Sequence, residues 1–233
     1  MNMTSSTLEE DTKNIQLGAV IFITNLFFLF LILSDKTKLN LVMFYLMMFD
    51  GSIIASYIVF REETADALKL TIPSAGDFIR ALLVGFLLAL FLIGLERNGA
   101  GQIIYQSVNF GGEYSAIVNS ILFAFVIGIG EETLVRGFLS AIAEEFTDGT
   151  DGTQRALILY VLNPTIFSLM HFFMWSSNYI IEMGMTMIIF MFFYHFIFAE
   201  FMQVLKDKAN SLYAPISAHA FYDGIKMIML TLG

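Results

Sequence analysis

Six side chains in the second half of the chain combine residue types and spacings that suit hydrolysis, in surroundings where charge is costly. Glu131 and Glu132 follow the apolar run ILFAFVIGIG, and Arg136 stands four residues after Glu132. Ionisable groups inside a bilayer cost roughly 2.5–3.5 kcal/mol each on insertion scales, so each is a functional candidate. Glu132 and Arg136 share a helix face and can pair. Glu131 lies about 100° around that helix, without a local cation, which makes it the candidate general base. His171 stands four residues after Phe167 in FSLMH, and His219 four before Asp223 in SAHAFYD. An Asp one helical turn from a His can fix its tautomer and orientation, as a carboxylate does in a hydrolase triad.

The elements that must carry these residues are membrane spans. The chain of 233 residues is 57% hydrophobic and 14% charged, with mean hydropathy +0.74, whereas soluble domains are nearer 25% charged. A span needs about 20 mostly apolar residues. Seven stretches qualify: 15–34, 41–60, 79–95, 115–146, 156–175, 180–205 and 212–232. The expected fold is an all-α polytopic transmembrane helical bundle of about seven spans (six to eight). It divides into a polar tail (1–14), N-terminal transmembrane helices (15–114) and a catalytic helical core (115–233). Residues 61–77 and 147–154 read as loops, and Asn163-Pro164 should bend the fifth span.

The polar, acidic N-terminus lacks the basic start of a signal peptide, so the first span is expected to remain. Lys13, Arg61, Lys69, Arg80, Arg155, Lys206 and Lys208 fall on one side of this topology, against Lys36, Lys38 and Arg97 on the other. By the positive-inside rule the N-terminus is cytoplasmic. The absence of cysteine excludes disulfides, thiolate metal sites and a cysteine nucleophile. A net charge of −9 argues against a nucleic-acid partner.

EExxxR, FxxxH and HxxxD, in that order on successive spans, resemble the CAAX-protease and bacteriocin-processing (Abi) family. The resemblance runs over roughly residues 115–232. It implies a metal-independent intramembrane glutamate peptidase with no cofactor. Its partners would be membrane lipid and a substrate peptide or prenylated C-terminal protein tail. Glu131 and His171 would activate water, Glu132 and Arg136 would support the site, and His219 and Asp223 would orient groups or stabilise the oxyanion. The prenyl endopeptidases usually carry Asn where this chain has Asp223. An ionised Asp only accepts hydrogen bonds, so Asp223 is read as the orienter of His219, and His219 as the oxyanion donor.

Two other functions fit the same residues. One Glu and two His make a plausible open zinc site, although HExxH is absent. A non-catalytic immunity factor or proton-coupled carrier would also use buried Glu, His and Asp. Outside the motifs, His195 reads as a packed histidine bonded to a neighbouring carbonyl, and Lys226 as snorkelling to the interface. Asp50, Glu182 and Glu200 read as boundary or internally bonded groups. Straight helices at 1.5 Å per residue leave His171 and His219 roughly 14 Å apart in depth, which tilt or the Pro164 bend must absorb.

Overall fold

The computed structural model describes residues 38–95, 113–148, 152–174 and 185–232, and the regular structure among them is helical throughout. The helices are α1 (Lys38–Phe60), α2 (Ala75–Leu95), α3 (Glu113–Glu132), α4 (Ser140–Phe146), α5 (Gly152–Leu157), α6 (Asn163–Met174), α7 (Met185–Ala209) and α8 (Tyr213–Leu232). A π-helical segment, Thr133–Leu139, joins α3 to α4, and another, Ile158–Leu162, joins α5 to α6. Helices thus occupy six of the seven expected spans. The first span (15–34) and Glu182 lie outside the described residues.

Local chemistry moves several expected boundaries. The helix in the third expected span begins at Ala75 rather than 79 because Ser74 caps it: its hydroxyl accepts from the Asp77 amide (3.1 Å) and donates to the Asp77 carboxylate (2.6 Å), a reciprocal capping arrangement. Part of the segment expected as loop winds into a 3-10 turn, Arg61–Glu63, and a single helical turn, Thr64–Ala67. The helical segment that leads into the fifth expected span starts at Gly152, so the expected 147–154 loop is shorter.

The bundle buries a cluster of charged groups while exposing many large apolar ones. Leu83, Phe86, Leu87, Leu90 and Phe91 are exposed on α2, and Phe193, Ile197 and Phe201 on α7, while Glu131, Glu132, Arg136, His219 and Asp223 are buried. Water would favour the reverse distribution, and lipid favours this one. Among the described residues, one segment, Ile188–Ala209 of α7, is long and apolar enough to cross a membrane by length and composition.

At one end of the bundle three connections meet. The Leu212 amide donates to the Lys69 carbonyl (2.9 Å) and the Thr71 hydroxyl to the Asn210 carbonyl (2.6 Å). Lys69, Arg155 and Lys206 converge on Glu144 at 3.5–3.7 Å. The chain after α1, after α4 and after α7 therefore shares one face. Deeper in, the Asn163 amide donates to Ser140 (3.1 Å), whose hydroxyl reaches Gln203 (3.2 Å), tying α6, α4 and α7 through a buried polar seam.

Helix α8, which carries His219 and Asp223, packs most extensively on α3 and α2. Small residues permit the approach. A Cβ on Gly85 would run into the Ala218 carbonyl, and one on Gly130 would lie 2.7 Å from the Tyr45 carbonyl. With lipid outside, such close backbone packing replaces the hydrophobic effect as the force between helices. It brings α8 and α1 onto the part of α3 that ends in Glu131 and Glu132.

Candidate active site

Each candidate residue sits where its helix is locally shaped to present it. Glu131 and Glu132 close α3, and the π segment that follows carries Arg136. Such wide turns re-aim side chains relative to a regular helix and recur at functional sites. The second π segment lies directly before Asn163-Pro164. It contains Tyr160, whose carbonyl the Pro164 ring would meet in a regular α-helix. The proline is thus accommodated by widening the helix ahead of it.

Glu131 faces two imidazoles. Its Oε2 is 3.8 Å from His171 Nε2 and 3.8 Å from His219 Nε2. That oxygen is buried and makes no hydrogen bond. The Tyr45 hydroxyl, delivered by α1, hydrogen-bonds the Glu131 carboxylate. On His171, Nδ1 lies 2.9 Å from the Phe167 carbonyl. A carbonyl only accepts, so Nδ1 carries the proton and Nε2 turns a lone pair toward Glu131. The four-residue spacing of FxxxH is therefore a tautomer lock made by the helix backbone.

Glu132 and Arg136 pair beside Glu131. Arg136 Nη1 reaches Glu132 Oε1 at 3.3 Å, and Nη2 donates to the Ala199 carbonyl at 2.9 Å. The guanidinium also sits 4.5 Å above the Phe167 ring, which lies 4.6 Å from the His171 ring. Phe167 thus packs between the arginine and the histidine, a role its apolar character did not announce. Glu132 Oε1 is at the same time 2.7 Å from His219 Nδ1.

That last contact adds to, and does not replace, the one expected of Asp223. Asp223 lies 3.4 Å from His219 Nε2, on the ring nitrogen that faces the cavity. The closer partner, on the opposite nitrogen, is Glu132. The interhelical contact wins because close packing of α8 on α3 brings Glu132 straight onto Nδ1. The expected depth mismatch is corrected. His171 and His219 both lie 3.8 Å from one carboxylate oxygen, because widened helices and close packing replace the straight rods assumed in counting residues.

A cavity of about 150 Å³ gathers Glu131, His171, His219 and Asp223. Tyr45, Phe167, Tyr194 and Tyr222 line it too, as do His195 and Lys226. The last two were not among the expected site residues. His195 does bond a neighbouring carbonyl, with Nδ1 2.8 Å from Met191 O, yet its ring also stacks on His171 at 4.0 Å. Lys226 does not snorkel away; its Nζ lies 2.6 Å from Asp223 Oδ1. The signal that would have found both is the one used for the glutamates, an ionisable group amid apolar sequence. Asp50, exposed on α1, and Glu200, half-buried on α7, are not among the cavity's lining residues.

Residues 113–225 match the family model described as type II CAAX prenyl endopeptidase Rce1-like. No curated protein and no solved structure matches the chain. The matched segment begins with α3 and ends two residues after Asp223, so it contains all six motif residues and the histidine that stacks on His171.

Proposed function

With residues 113–225 belonging to the CAAX-protease family, we propose that the protein is an intramembrane endopeptidase that hydrolyses a peptide bond with water activated by Glu131 and His171. The observation that carries this reading is the position of Glu131 Oε2, 3.8 Å from the Nε2 atoms of both His171 and His219 at a cavity wall. At that separation two polar groups do not bond each other directly, but both can hydrogen-bond one small molecule held between them. Water there meets a carboxylate and an imidazole lone pair, both proton acceptors.

The reaction then runs as follows. Water attacks the scissile carbonyl carbon while its proton passes to Glu131, with His171 Nε2 sharing the transfer. The carbonyl oxygen becomes an oxyanion and takes a hydrogen bond from His219 Nε2. In this scheme His219 is the imidazolium, donating from Nδ1 to Glu132 and from Nε2 to the oxyanion, and Arg136 holds Glu132, so the donor is fixed before the charge develops. When the tetrahedral species collapses, the C–N bond breaks and the proton held by Glu131 and His171 goes to the departing amine. The products are a carboxylic acid and an amine, which leave as carboxylate and ammonium once the acid's proton passes to the amine, and no group on the enzyme is left changed.

The substrate is proposed to be a protein tail ending in a prenylated CAAX sequence, a reading supported by the family's description as a type II CAAX prenyl endopeptidase. The chain would cross the membrane several times with its N-terminus in the cytoplasm. The cluster of Lys69, Arg155 and Lys206 at the shared end of the bundle supports that end as the cytoplasmic one. The experiment is cleavage by purified protein in detergent of a farnesylated peptide beside its unprenylated twin. Cleavage confined to the farnesylated peptide supports the reading. Equal cleavage of both removes the prenyl specificity, and cleavage of neither removes the CAAX substrate.

A further inference from the structure

His219 stands in the middle of a chain of alternating charge. On one side Arg136 Nη1 meets Glu132 Oε1 at 3.3 Å, and that oxygen is 2.7 Å from His219 Nδ1. On the other, His219 Nε2 is 3.4 Å from Asp223 Oδ2, and Asp223 Oδ1 is 2.6 Å from Lys226 Nζ. Each nitrogen of the ring thus faces a carboxylate backed by a cation. The two ends differ in their surroundings. Arg136 is sealed in the bundle with its side chain 1% exposed, whereas Lys226 is 19% exposed and lines the cavity.

The Asp223 side presents a physical problem. Its carboxylate lies against Nε2, the nitrogen that must donate to a developing oxyanion, and Glu131 is 3.8 Å from the same atom. An uncompensated Asp223 would repel the oxyanion and compete for the Nε2 proton, and low dielectric magnifies both effects. Lys226 addresses both. Its ammonium takes the Asp223 oxygen turned away from His219, and it packs 4.8 Å above the Tyr222 ring, so its stem and charge are held on the cavity wall.

We infer that Lys226 is a positioning residue for the reaction proposed above: it neutralises Asp223 and so frees His219 Nε2 to stabilise the oxyanion. The inference rests on the peptidase reading for its catalytic part, while the charge pairing itself is independent of that reading. Lys226 acts through Asp223, so its importance is conditional on the charge there.

A double-mutant cycle on the full chain tests this, with Asp223→Asn, Lys226→Met and the double variant read by both turnover and melting temperature. Lys226→Met is expected to lower kcat at least about tenfold with KM little changed, the scale of losing a charge-assisted hydrogen bond. Lys226→Arg is expected to retain kcat. In the Asp223→Asn background the same Lys226→Met change is expected to cost less than about threefold, a coupling that only interacting residues give. A loss of equal size in both backgrounds, or none in either, overturns the inference. If Lys226→Met fails to fold, the double variant and Lys226→Arg carry the test: a double variant that also fails to fold contradicts the pairing. If the wild type cleaves nothing, the peptidase reading fails separately. The melting temperatures then decide the pairing, coupled shifts supporting it and additive shifts overturning it.

Discussion

Glu132 Oε1 lies 2.7 Å from His219 Nδ1 and joins residues 87 positions apart in sequence. The same oxygen lies 3.3 Å from Arg136, so one carboxylate holds both the supporting cation and the proposed oxyanion donor. The neighbouring Glu131 has different surroundings, with its Oε2 3.8 Å from the Nε2 atoms of two cavity-lining imidazoles. In the proposed mechanism the adjacent glutamates divide into a structural one and a reactive one.

That division predicts different outcomes for two similar substitutions. Glu132→Ala leaves Arg136 buried without its carboxylate, and breaking a buried pair this way costs about 3–5 kcal/mol. Glu131→Gln keeps the side-chain shape and removes a charge that forms no Lys or Arg salt bridge among the described residues, its ion-pair contacts being to His171 and His219. Thermal melts in detergent should show a large drop for the first and almost none for the second. Equal drops would contradict the assignment.

His195 should matter to turnover although it belongs to no motif. Its ring stacks on His171 at 4.0 Å, and aromatic pairs contribute about 0.5–1.5 kcal/mol beyond area burial. His195→Ala is expected to lower kcat by roughly 2–10-fold on that scale, and His195→Phe, which keeps a flat ring, by less. A measured loss larger for Phe than for Ala would show that the imidazole's polar atoms, and not its stacking, are what the site uses.

Close packing at Gly130 sets the approach of α1, and with it the placement of Tyr45 on Glu131. A Cβ there would lie 2.7 Å from the Tyr45 carbonyl, and overpacking costs typically about 1–3 kcal/mol. Gly130→Ala should lower both melting temperature and activity. Gly94→Ala is the control, because its Cβ would meet nothing within 4 Å. Unchanged stability in Gly130→Ala would mean that α1 is free to move away.

The topology is open to chemical labelling because the chain contains no cysteine. Single cysteines at Leu87 and Phe193, both exposed on the apolar exterior, should resist a membrane-impermeant maleimide in intact membranes. Cysteines at Asp66 and Lys208 should react from the same side, since the connections after α1 and α7 meet. Labelling of those two positions from opposite sides would overturn the arrangement.

The parts of the site legible in sequence are those whose chemistry is local. EExxxR, FxxxH and HxxxD each place their members one helical turn apart, and charge in apolar sequence announces itself by its cost. The i,i+4 pairing of Glu132 with Arg136 is found at 3.3 Å. What sequence withheld depends on how helices meet. No spacing links Glu132 to His219, and only the approach of α8 to α3 selects Glu132 over Asp223 as the Nδ1 partner. Counting residues along ideal helices separated His171 from His219 in depth, because the π segments that alter the path are not visible in composition. His195 and Lys226 carried the same signal as the glutamates, but their neighbours formed no motif, so a bland role looked sufficient. The helices themselves were legible except where a cap or short turn decided the boundary, as Ser74 does for α2.

The most direct measurement is single-turnover cleavage of a farnesylated CAAX peptide by wild type and by Glu131→Gln, each with and without a strong chelator. Wild-type cleavage is expected to be unaffected by chelator, and Glu131→Gln is expected to fall by about 10²–10⁴-fold, the scale of a lost general base, while remaining folded. Cleavage that persists in Glu131→Gln would contradict the role of Glu131. Wild-type cleavage abolished by chelator and restored by zinc would transfer the site to metal-dependent hydrolysis.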